Sequence, residues 1–199
     1  LAAPLSELHR VGSPQHALGA HDAAPQALIA QGVEAGGHVR GRQPLMQLLA
    51  DLLPHARVPV AAAGGLADGR DVARVLAQGA QAAVLGTALI ATPESFAHSR
   101  APAPAGRKVV AARASDTVLT EDFHINWPPH AAVRVLASSV TRGERGDPFS
   151  AAARTTIGEE EGRPIYLFST DSPLRSMTGD FEGMALYAGR GVDRIGDVE

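Results

Sequence analysis

The stretch that decides the fold is Gln31-Gly-Val-Glu-Ala-Gly-Gly-His38. The short apolar run at residues 27–30 leads directly into it, and such a run before small residues predicts a buried strand that feeds a loop. The paired Gly36 and Gly37 allow the backbone to approach a flat ligand closely. They also place one imidazole, that of His38, at the predicted end of the strand. We therefore expect this loop to form part of a ligand site.

Two more predicted strands also end in glycine-rich loops. The first runs through Pro59-Val-Ala-Ala-Ala-Gly-Gly65, and the second through Ala82-Ala-Val-Leu-Gly-Thr87. A weaker strand is predicted at residues 8–11, and capping and apolar spacing predict helices at residues 13–21, 44–53 and 68–79. This alternation indicates parallel strands. Because the glycine loops follow the carboxyl ends of those strands, they predict one shared site, as in a (β/α) barrel.

The alternation is lost in the second half of the chain. Thr92 before Pro93 predicts the start of one more helix, and the Pro/Ala-rich residues 101–106 predict a linker. Beyond the linker the sequence predicts mixed strand character at residues 116–125 and helices at residues 107–113, 131–140 and 147–156. The acidic run at residues 159–161 predicts a solvated loop. We therefore expect a βα part at residues 1–100 and a mostly helical or irregular C-terminal extension at residues 101–199 that packs on it.

Composition excludes several classes of function. The chain has 199 residues, 45% of them hydrophobic, a net charge of −3 and no cysteine. It is therefore globular, without disulfides, thiolate metal sites or a cysteine nucleophile, and its charge does not favour a nucleic-acid partner. No histidine has metal-ligand spacing with a carboxylate, and no apolar run is long enough to span a membrane. We expect a cytoplasmic protein with no metal, nucleic-acid or membrane partner.

The glycine loops predict a phosphate site. A loop that precedes a helix exposes backbone N–H groups, and the helix dipole adds about half an elementary charge there. Gly64 and Gly65 form one such loop, Gly86 and Thr87 form the next, and the Thr87 hydroxyl adds a donor. The alternative is that these glycines only make tight turns, but their recurrence on consecutive strands favours phosphate.

His38 is the candidate acid or base. Its ordinary pKa lies near neutrality, which suits proton transfer, and it directly follows two glycines at a predicted strand end. The alternative is a purely structural histidine. The nearby Glu34 either orients His38 or is solvated, and we favour the solvated interpretation.

Together these segments resemble a known family, the FMN-dependent nitronate monooxygenases, formerly called 2-nitropropane dioxygenases. The resemblance begins with the three glycine-loop segments and extends through Ser115-Asp-Thr-Val-Leu-Thr120, Trp127-Pro128, Val133-Arg-Val-Leu136 and Met184-Ala-Leu-Tyr-Ala-Gly189. Each motif alone is weakly specific, whereas the set in this order is specific. The resemblance implies an enzyme that oxidises alkyl nitronates and nitroalkanes with O₂, giving carbonyl compounds and nitrite.

The resemblance also implies roles for individual residues. His38 would be the catalytic base near the substrate carbon, and Gln31 would contact the flavin. Backbone for FMN would come from the glycine pairs Gly36, Gly37, Gly64 and Gly65. The FMN phosphate would be held by Val84, Leu85, Gly86 and Thr87.

The match covers only the later part of the family, roughly its last four strands. It therefore implies the C-terminal half of a TIM-type (β/α)8 barrel, about four βα units, followed by the C-terminal extension. Half a barrel leaves open sheet edges, so we expect either the missing half or a second copy, a homodimer, to cover them. Two alternatives remain open: an FMN-dependent enoyl-thioester reductase using NAD(P)H, and an inactive truncated half-barrel.

Overall fold

The first part of the chain is a four-stranded parallel sheet with helical connections. The computed structural model describes residues 7–21, 25–97, 104–128 and 130–196. The elements of this first part are β1 (Leu8–Val11), α1 (Pro14–His21), β2 (Ala27–Gln31), β3 (Gly37–His38), α2 (Leu45–Leu52), β4 (Val60–Ala63), α3 (Gly69–Ala77), β5 (Ala82–Val84) and α4 (Thr87–Ile90). The parallel strands lie in the order β1-β2-β4-β5, which confirms the predicted parallel α/β sheet.

The core of this part lies between the two central strands and α2. Small and branched side chains of β2 and β4, including Leu28 and Val60, are fully buried. The helix α2 turns four leucines toward them: Leu45, Leu48, Leu49 and Leu52. Full burial of one such side chain stabilises the fold by about 1.5–3 kcal/mol. This packing holds the carboxyl ends of the strands in place, and it therefore positions the loops that follow them.

Two of the predicted helix caps, Ser13 and Asp68, are present. The Asp68 carboxylate accepts a hydrogen bond from the Asp71 backbone N–H at the start of α3. The Ser13 hydroxyl accepts one from the His16 N–H in the first turn of α1. Each such cap stabilises a helix by about 1 kcal/mol.

The sheet has two open edges. In the described residues no strand pairs with the outer side of β1 or of β5. Apolar side chains stand exposed along both, Leu8 at 49% and Val84 at 42%. Unpaired, apolar edges template pairing with another chain.

We expect the purified 199-residue chain to self-associate, because association would cover both edges and their apolar side chains. Sedimentation velocity over a range of concentrations tests this, with a rise in the weight-average sedimentation coefficient as the expected result. A monomer that stays monomeric at every concentration and unfolds cooperatively would contradict it.

The second part of the chain is built mainly from strands. Its elements are α5 (Ala105–Ala111), β6 (Thr117–Thr120), β7 (Val133–Leu136), β8 (Thr156–Glu160), β9 (Arg163–Tyr166) and β10 (Met177–Gly179). The strands β8, β9 and β10 form an antiparallel sheet in the order β10-β8-β9, and β7 lies between β3 and β6 in another. Because β3 contains Gly37 and His38, the sheet formed by β3, β7 and β6 is attached directly to the glycine loop that follows β2.

Three predictions for the second part are therefore wrong. Residues 131–140 contain β7 instead of a helix, and residues 147–156 contain only a short 3-10 turn, Ala151–Arg154. The acidic run is also no loop, because Glu159 and Glu160 lie in β8 and only Glu161 belongs to the turn that follows. The extension, expected to be mostly helical or irregular, thus combines the helix α5 with short strands and irregular connections. The division at residue 100 stays a prediction.

A fourth correction concerns the helix expected to begin at Thr92. The helix α4 begins instead at Thr87, directly after β5, and has ended by that point. The Thr92 hydroxyl donates to the carbonyl oxygen of Leu89, so it closes the helix rather than opening one. Residues 101–103 of the predicted linker at residues 101–106 lie outside the described residues, and Ala105 and Gly106 belong to the helix Ala105–Ala111 instead of a linker. None of the helices in the described ranges is long and apolar enough to cross a membrane.

Candidate functional site

A cleft of about 370 Å³ lies at the carboxyl ends of the parallel strands. Side chains and glycines from the ends of β2, β4 and β5 line it, together with Tyr187 and Gly191 from the last segment of the chain. Eight of the ten predicted site residues are among those that line it: Gln31, Gly36, Gly37, Gly64, Gly65, Val84, Gly86 and Thr87. The other two, Leu85 and His38, are not. The half-buried Leu85 packs instead against the core below the sheet.

The backbone of the glycine loops is open toward this cleft. Gly64 and Gly65 have φ values of 119° and 67°, in the left-handed region that favours glycine. A Cβ at Gly65 would lie 2.9 Å from Cβ of Glu34, whereas a Cβ at Gly86 would meet nothing within 4 Å. The N–H groups of Gly64, Gly65 and Gly86 donate to no other described residue. These features fit a planar cofactor with an anionic group that approaches the backbone.

The start of α3, by contrast, is already occupied by carboxylates. Asp68 takes the Asp71 N–H, and the Asp71 carboxylate takes the N–H of Ala67 at 2.9 Å. The helix N-terminus therefore offers less to a phosphate than the sequence suggested. An anion would lie on the side of Gly64 and Gly65.

A contact from the end of the chain fixes the Gly65 loop. Nη2 of Arg194 donates to the carbonyl oxygen of Gly65 at 2.6 Å and to Oδ2 of Asp71 at 2.8 Å. Gly191 packs against the same carbonyl, so closely that a Cβ there would lie 2.5 Å from the oxygen. Burial alone would raise the pKa of Asp71, but the hydrogen bonds from Arg194 and the Ala67 N–H hold the pKa below its ordinary value.

We expect Arg194→Gln to lower the free energy of unfolding by about 1–2 kcal/mol, because it leaves the buried Asp71 carboxylate with fewer donors. Since the pKa of Asp71 is lowered in the folded state, this stabilisation is present above the ordinary aspartate pKa and is lost as the pH falls through the folded value. Urea unfolding at pH 7 and at pH 3 measures both effects. The control is Arg70→Gln, which changes an exposed arginine of α3, the helix that contains Asp71. Equal losses of stability in the two variants would contradict the assignment.

Gln31 and Glu34 hold the loop that carries His38. The buried Gln31 donates from Nε2 to the His38 carbonyl oxygen at 2.9 Å, and its Oε1 accepts from the Arg40 N–H at 3.0 Å. The carboxylate of Glu34 accepts from the Leu45 N–H, at 3.0 Å to Oε2. Glu34 therefore caps α2 and is half-buried, so the interpretation of it as merely solvated is wrong. Together the two side chains fix both ends of the loop.

His38 lies beside the cleft, in contact with two aromatic rings. Its ring centroid is 3.7 Å from that of Trp127 and 6.0 Å from that of Tyr187. Its Nε2 is buried and has no hydrogen-bond partner among the described residues. Burial, and secondarily the charge of Arg10, lowers the pKa of His38 below its ordinary value. The lowered pKa favours the neutral imidazole at neutral pH, and its Nε2 is left without a partner among the described residues.

We expect His38 to titrate below the ordinary value of about 6.5. In the interval between that value and the lower folded pKa, the unfolded chain binds more protons, so stability falls as the pH falls through it. NMR titration of the histidine ring protons, assigned by comparison with His38→Asn, measures the midpoint. A midpoint at or above 6.5 would contradict the buried, neutral imidazole.

Tyr187 lines the cleft but is not among the site residues that the sequence predicts. Burial, together with the nearby Asp171, raises the pKa of Tyr187 to about 12. Its hydroxyl donates to the Thr170 carbonyl oxygen at 2.5 Å, so the phenol is held in place and stays neutral. Tyr187 and Trp127 both fall in quoted segments of the sequence, but nothing local in those segments links either ring to His38.

Comparison with known proteins shows which family the chain resembles. The family model for nitronate monooxygenase matches residues 4–199. The chain is 44% identical over 90 residues to a nitronate monooxygenase from Paraburkholderia phytofirmans, covering 41% of this chain and 24% of that protein. It is 31% identical over 147 residues to a (3aS,4S,5R,7aS)-5-hydroxy-7a-methyl-1-oxo-octahydro-1H-indene-4-carboxyl-CoA dehydrogenase from Mycobacterium tuberculosis, covering 72% of this chain and 40% of that protein.

A solved structure shares the fold over almost the whole chain. It is the nitroalkane oxidase from Streptomyces ansochromogenes, with a TM-score of 0.67 and 32% sequence identity. The match covers 95% of this chain and 52% of that one. The chain thus spans about a quarter to two-fifths of the length of these curated relatives and about half of the solved structure.

Proposed function

The chain belongs to the nitronate monooxygenase family, and from this premise we propose that it forms part of a flavin-dependent oxidoreductase that converts alkyl nitronates and nitroalkanes, with O₂, to carbonyl compounds and nitrite. The observation that carries the proposal is the position of a neutral, unpartnered imidazole nitrogen of His38 beside a cleft lined by glycine loops. The parallel strands β1, β2, β4 and β5 would then be the second half of a (β/α)8 barrel.

We infer that the cofactor is FMN. The left-handed glycines Gly64 and Gly65, their free N–H groups and the open space beside Gly86 support a flat ligand with one phosphate. Gln31, Gly36 and Gly37 would border the ring system, and Val84, Gly86 and Thr87 the phosphate. When bound, FMN would supply the redox chemistry, while the protein supplies position and electrostatics.

His38 would act on the substrate carbon. Nε2 of the neutral imidazole takes the proton from the carbon beside the nitro group, and the electron pair of the broken C–H bond moves onto the nitro oxygens, leaving a nitronate. Burial favours this role, because it keeps the imidazole unprotonated at neutral pH. The bond from Gln31 to the His38 carbonyl holds the base in place, and the ring of Trp127 covers it from water.

The test is oxygen uptake and nitrite release by the FMN-loaded protein, supplied with a nitronate and without NAD(P)H. Uptake that depends on the nitronate, with nitrite formed in proportion to it, is the expected result. Absence of flavin absorbance after loading and gel filtration would instead favour an inactive half-barrel.

A second candidate function is flavin-dependent chemistry on a thioester. It is supported by the 31% identity, over 72% of this chain, to a protein named as a carboxyl-CoA dehydrogenase. Oxidation of NAD(P)H that requires an enoyl thioester, with no response to nitronates, would favour this candidate over the first.

A further inference from the structure

A second cleft, larger than the first at about 620 Å³, has Trp127 in its lining. It is formed by the segment after β6 and by the segment before β8, and is lined by residues that include His124, Asn126, Trp127, Phe149, Ala153 and Arg154. Trp127 belongs to this cleft and its ring also contacts the ring of His38. The second cleft therefore adjoins His38 through one aromatic side chain.

The cleft presents aromatic rings to solvent. Phe149 is 64% exposed and Trp127 is 41% exposed, although exposing such side chains is unfavourable in water. The ring of His124 stacks on Phe149 with centroids 4.7 Å apart and an interplanar angle of 22°. Nε2 of His124 lies 2.9 Å from the Pro148 carbonyl oxygen, which fixes that pair of rings. The Trp127 N–H donates to the His124 carbonyl, so the tryptophan belongs to the same rigid turn.

The cleft also has an unneutralised cation. Arg154 packs over the ring of Tyr166 at 5.7 Å, and no carboxylate of the described residues forms an ion pair with it. The acidic groups of the neighbouring turns are already engaged: Glu121 contacts His130, and Asp147 accepts the Phe149 N–H. An arginine beside exposed aromatic faces recognises a flat ring that carries a negative charge.

We propose that this cleft binds the distal end of an extended substrate, and that this end is a planar aromatic group bearing an anionic substituent. The reacting carbon of such a substrate lies past Trp127, at His38. The inference deepens the proposed function, on which it rests, by naming the class of substrate that the same site takes. A cleft of this volume is larger than a short alkyl nitronate needs and lies within the range of small-molecule sites.

The sole tryptophan of the chain, Trp127, reports binding directly. We would titrate the 199-residue chain, without flavin, with 4-ethylbenzoate, its neutral isostere 4-ethylbenzamide, and propanoate, following tryptophan fluorescence and, in parallel, the heat of binding. We expect 4-ethylbenzoate to bind about three- to tenfold more tightly than 4-ethylbenzamide, and we expect no saturable binding of propanoate.

Three variants separate the contributions. Arg154→Gln should bring the benzoate affinity down to that of the benzamide, whereas Phe149→Ala should weaken both ligands by about three- to tenfold. Arg57→Gln, an exposed arginine elsewhere in the chain, is the control and should change neither. Circular dichroism confirms that each variant is folded.

Three results would overturn the proposal. They are saturable binding of propanoate alone, the absence of both heat and fluorescence change with either aromatic ligand, and equal effects of the two arginine variants. Because binding is measured without flavin and without turnover, this experiment can contradict the proposed subsite without contradicting the proposed function. If the chain binds 4-ethylbenzoate as expected but forms no nitrite from any nitronate, the subsite is supported and the proposed nitronate chemistry is contradicted.

Discussion

Replacing His38 by asparagine is expected to lower kcat/KM for neutral nitroalkanes by about 10²- to 10⁴-fold in the FMN-loaded enzyme, the range that a positioned general base contributes. Activity on preformed nitronates is expected to fall much less, because their carbon proton is already gone. The difference between the two substrates is the informative quantity, since a general loss of structure would reduce both.

The structure favours a clean result for this variant. The loop is held through the His38 backbone carbonyl and through Gln31 and Glu34, none of which the substitution removes. Only the ring contacts with Trp127 and Tyr187 are lost. His16→Asn, on the exposed face of α1, is the matched control. Equal losses on nitroalkane and nitronate would mean that His38 orients the nitro group instead of accepting a proton.

The second large effect is expected at Gly86. A Cβ there meets no atom of the described residues within 4 Å, and the residue lines the cleft with a negative φ of −125°. Gly86→Val should therefore leave the free energy of unfolding of the flavin-free chain within about 0.5 kcal/mol of its original value. It should nevertheless raise the Kd for FMN by about 10- to 100-fold, the loss of one or two charge-assisted hydrogen bonds.

Gly65→Val serves as the contrasting variant. Its φ of 67° and the close Cβ of Glu34 predict a loss of stability as well as of flavin. Fluorescence titration with FMN and urea unfolding of both flavin-free variants make the comparison. If Gly86→Val bound FMN undiminished, the assignment of Gly86 and Thr87 to the phosphate would be wrong, whatever Gly65→Val did.

The sequence predicted the parallel sheet well because each of its strands is a short apolar run that ends in a small-residue loop. It failed at β7, where Val133, Arg134, Val135 and Leu136 are all buried on both faces. Such a run has no alternation, so periodicity cannot distinguish a central strand from a buried helix. The prediction for the acidic residues of β8 failed because a run of charges does not reveal its partners: the Glu160 carboxylate accepts hydrogen bonds from Arg163, across the turn that follows, and from the more distant Ser176.

The candidate site was predictable where its residues follow one another along the chain. The glycine loops and His38 were visible because each ends a strand. The partners of those residues were not visible, since the cap that Glu34 provides for Leu45 and the stacking of Trp127 on His38 arise only when distant segments meet. Leu85 was assigned to the cleft by its position in a motif, and alternation of side chains along the strand turned it toward the core.

The contact of Arg194 with Gly65 joins two residues 129 positions apart. During synthesis the glycine loop emerges from the ribosome long before the arginine that clasps its carbonyl, and before Gly191, which packs on the same oxygen. At typical elongation rates of about 5–20 residues per second, roughly 6–26 seconds separate the two events. Until Gly191 and Arg194 have emerged, the Gly65 loop of the nascent chain therefore lacks the contacts that hold its carbonyl.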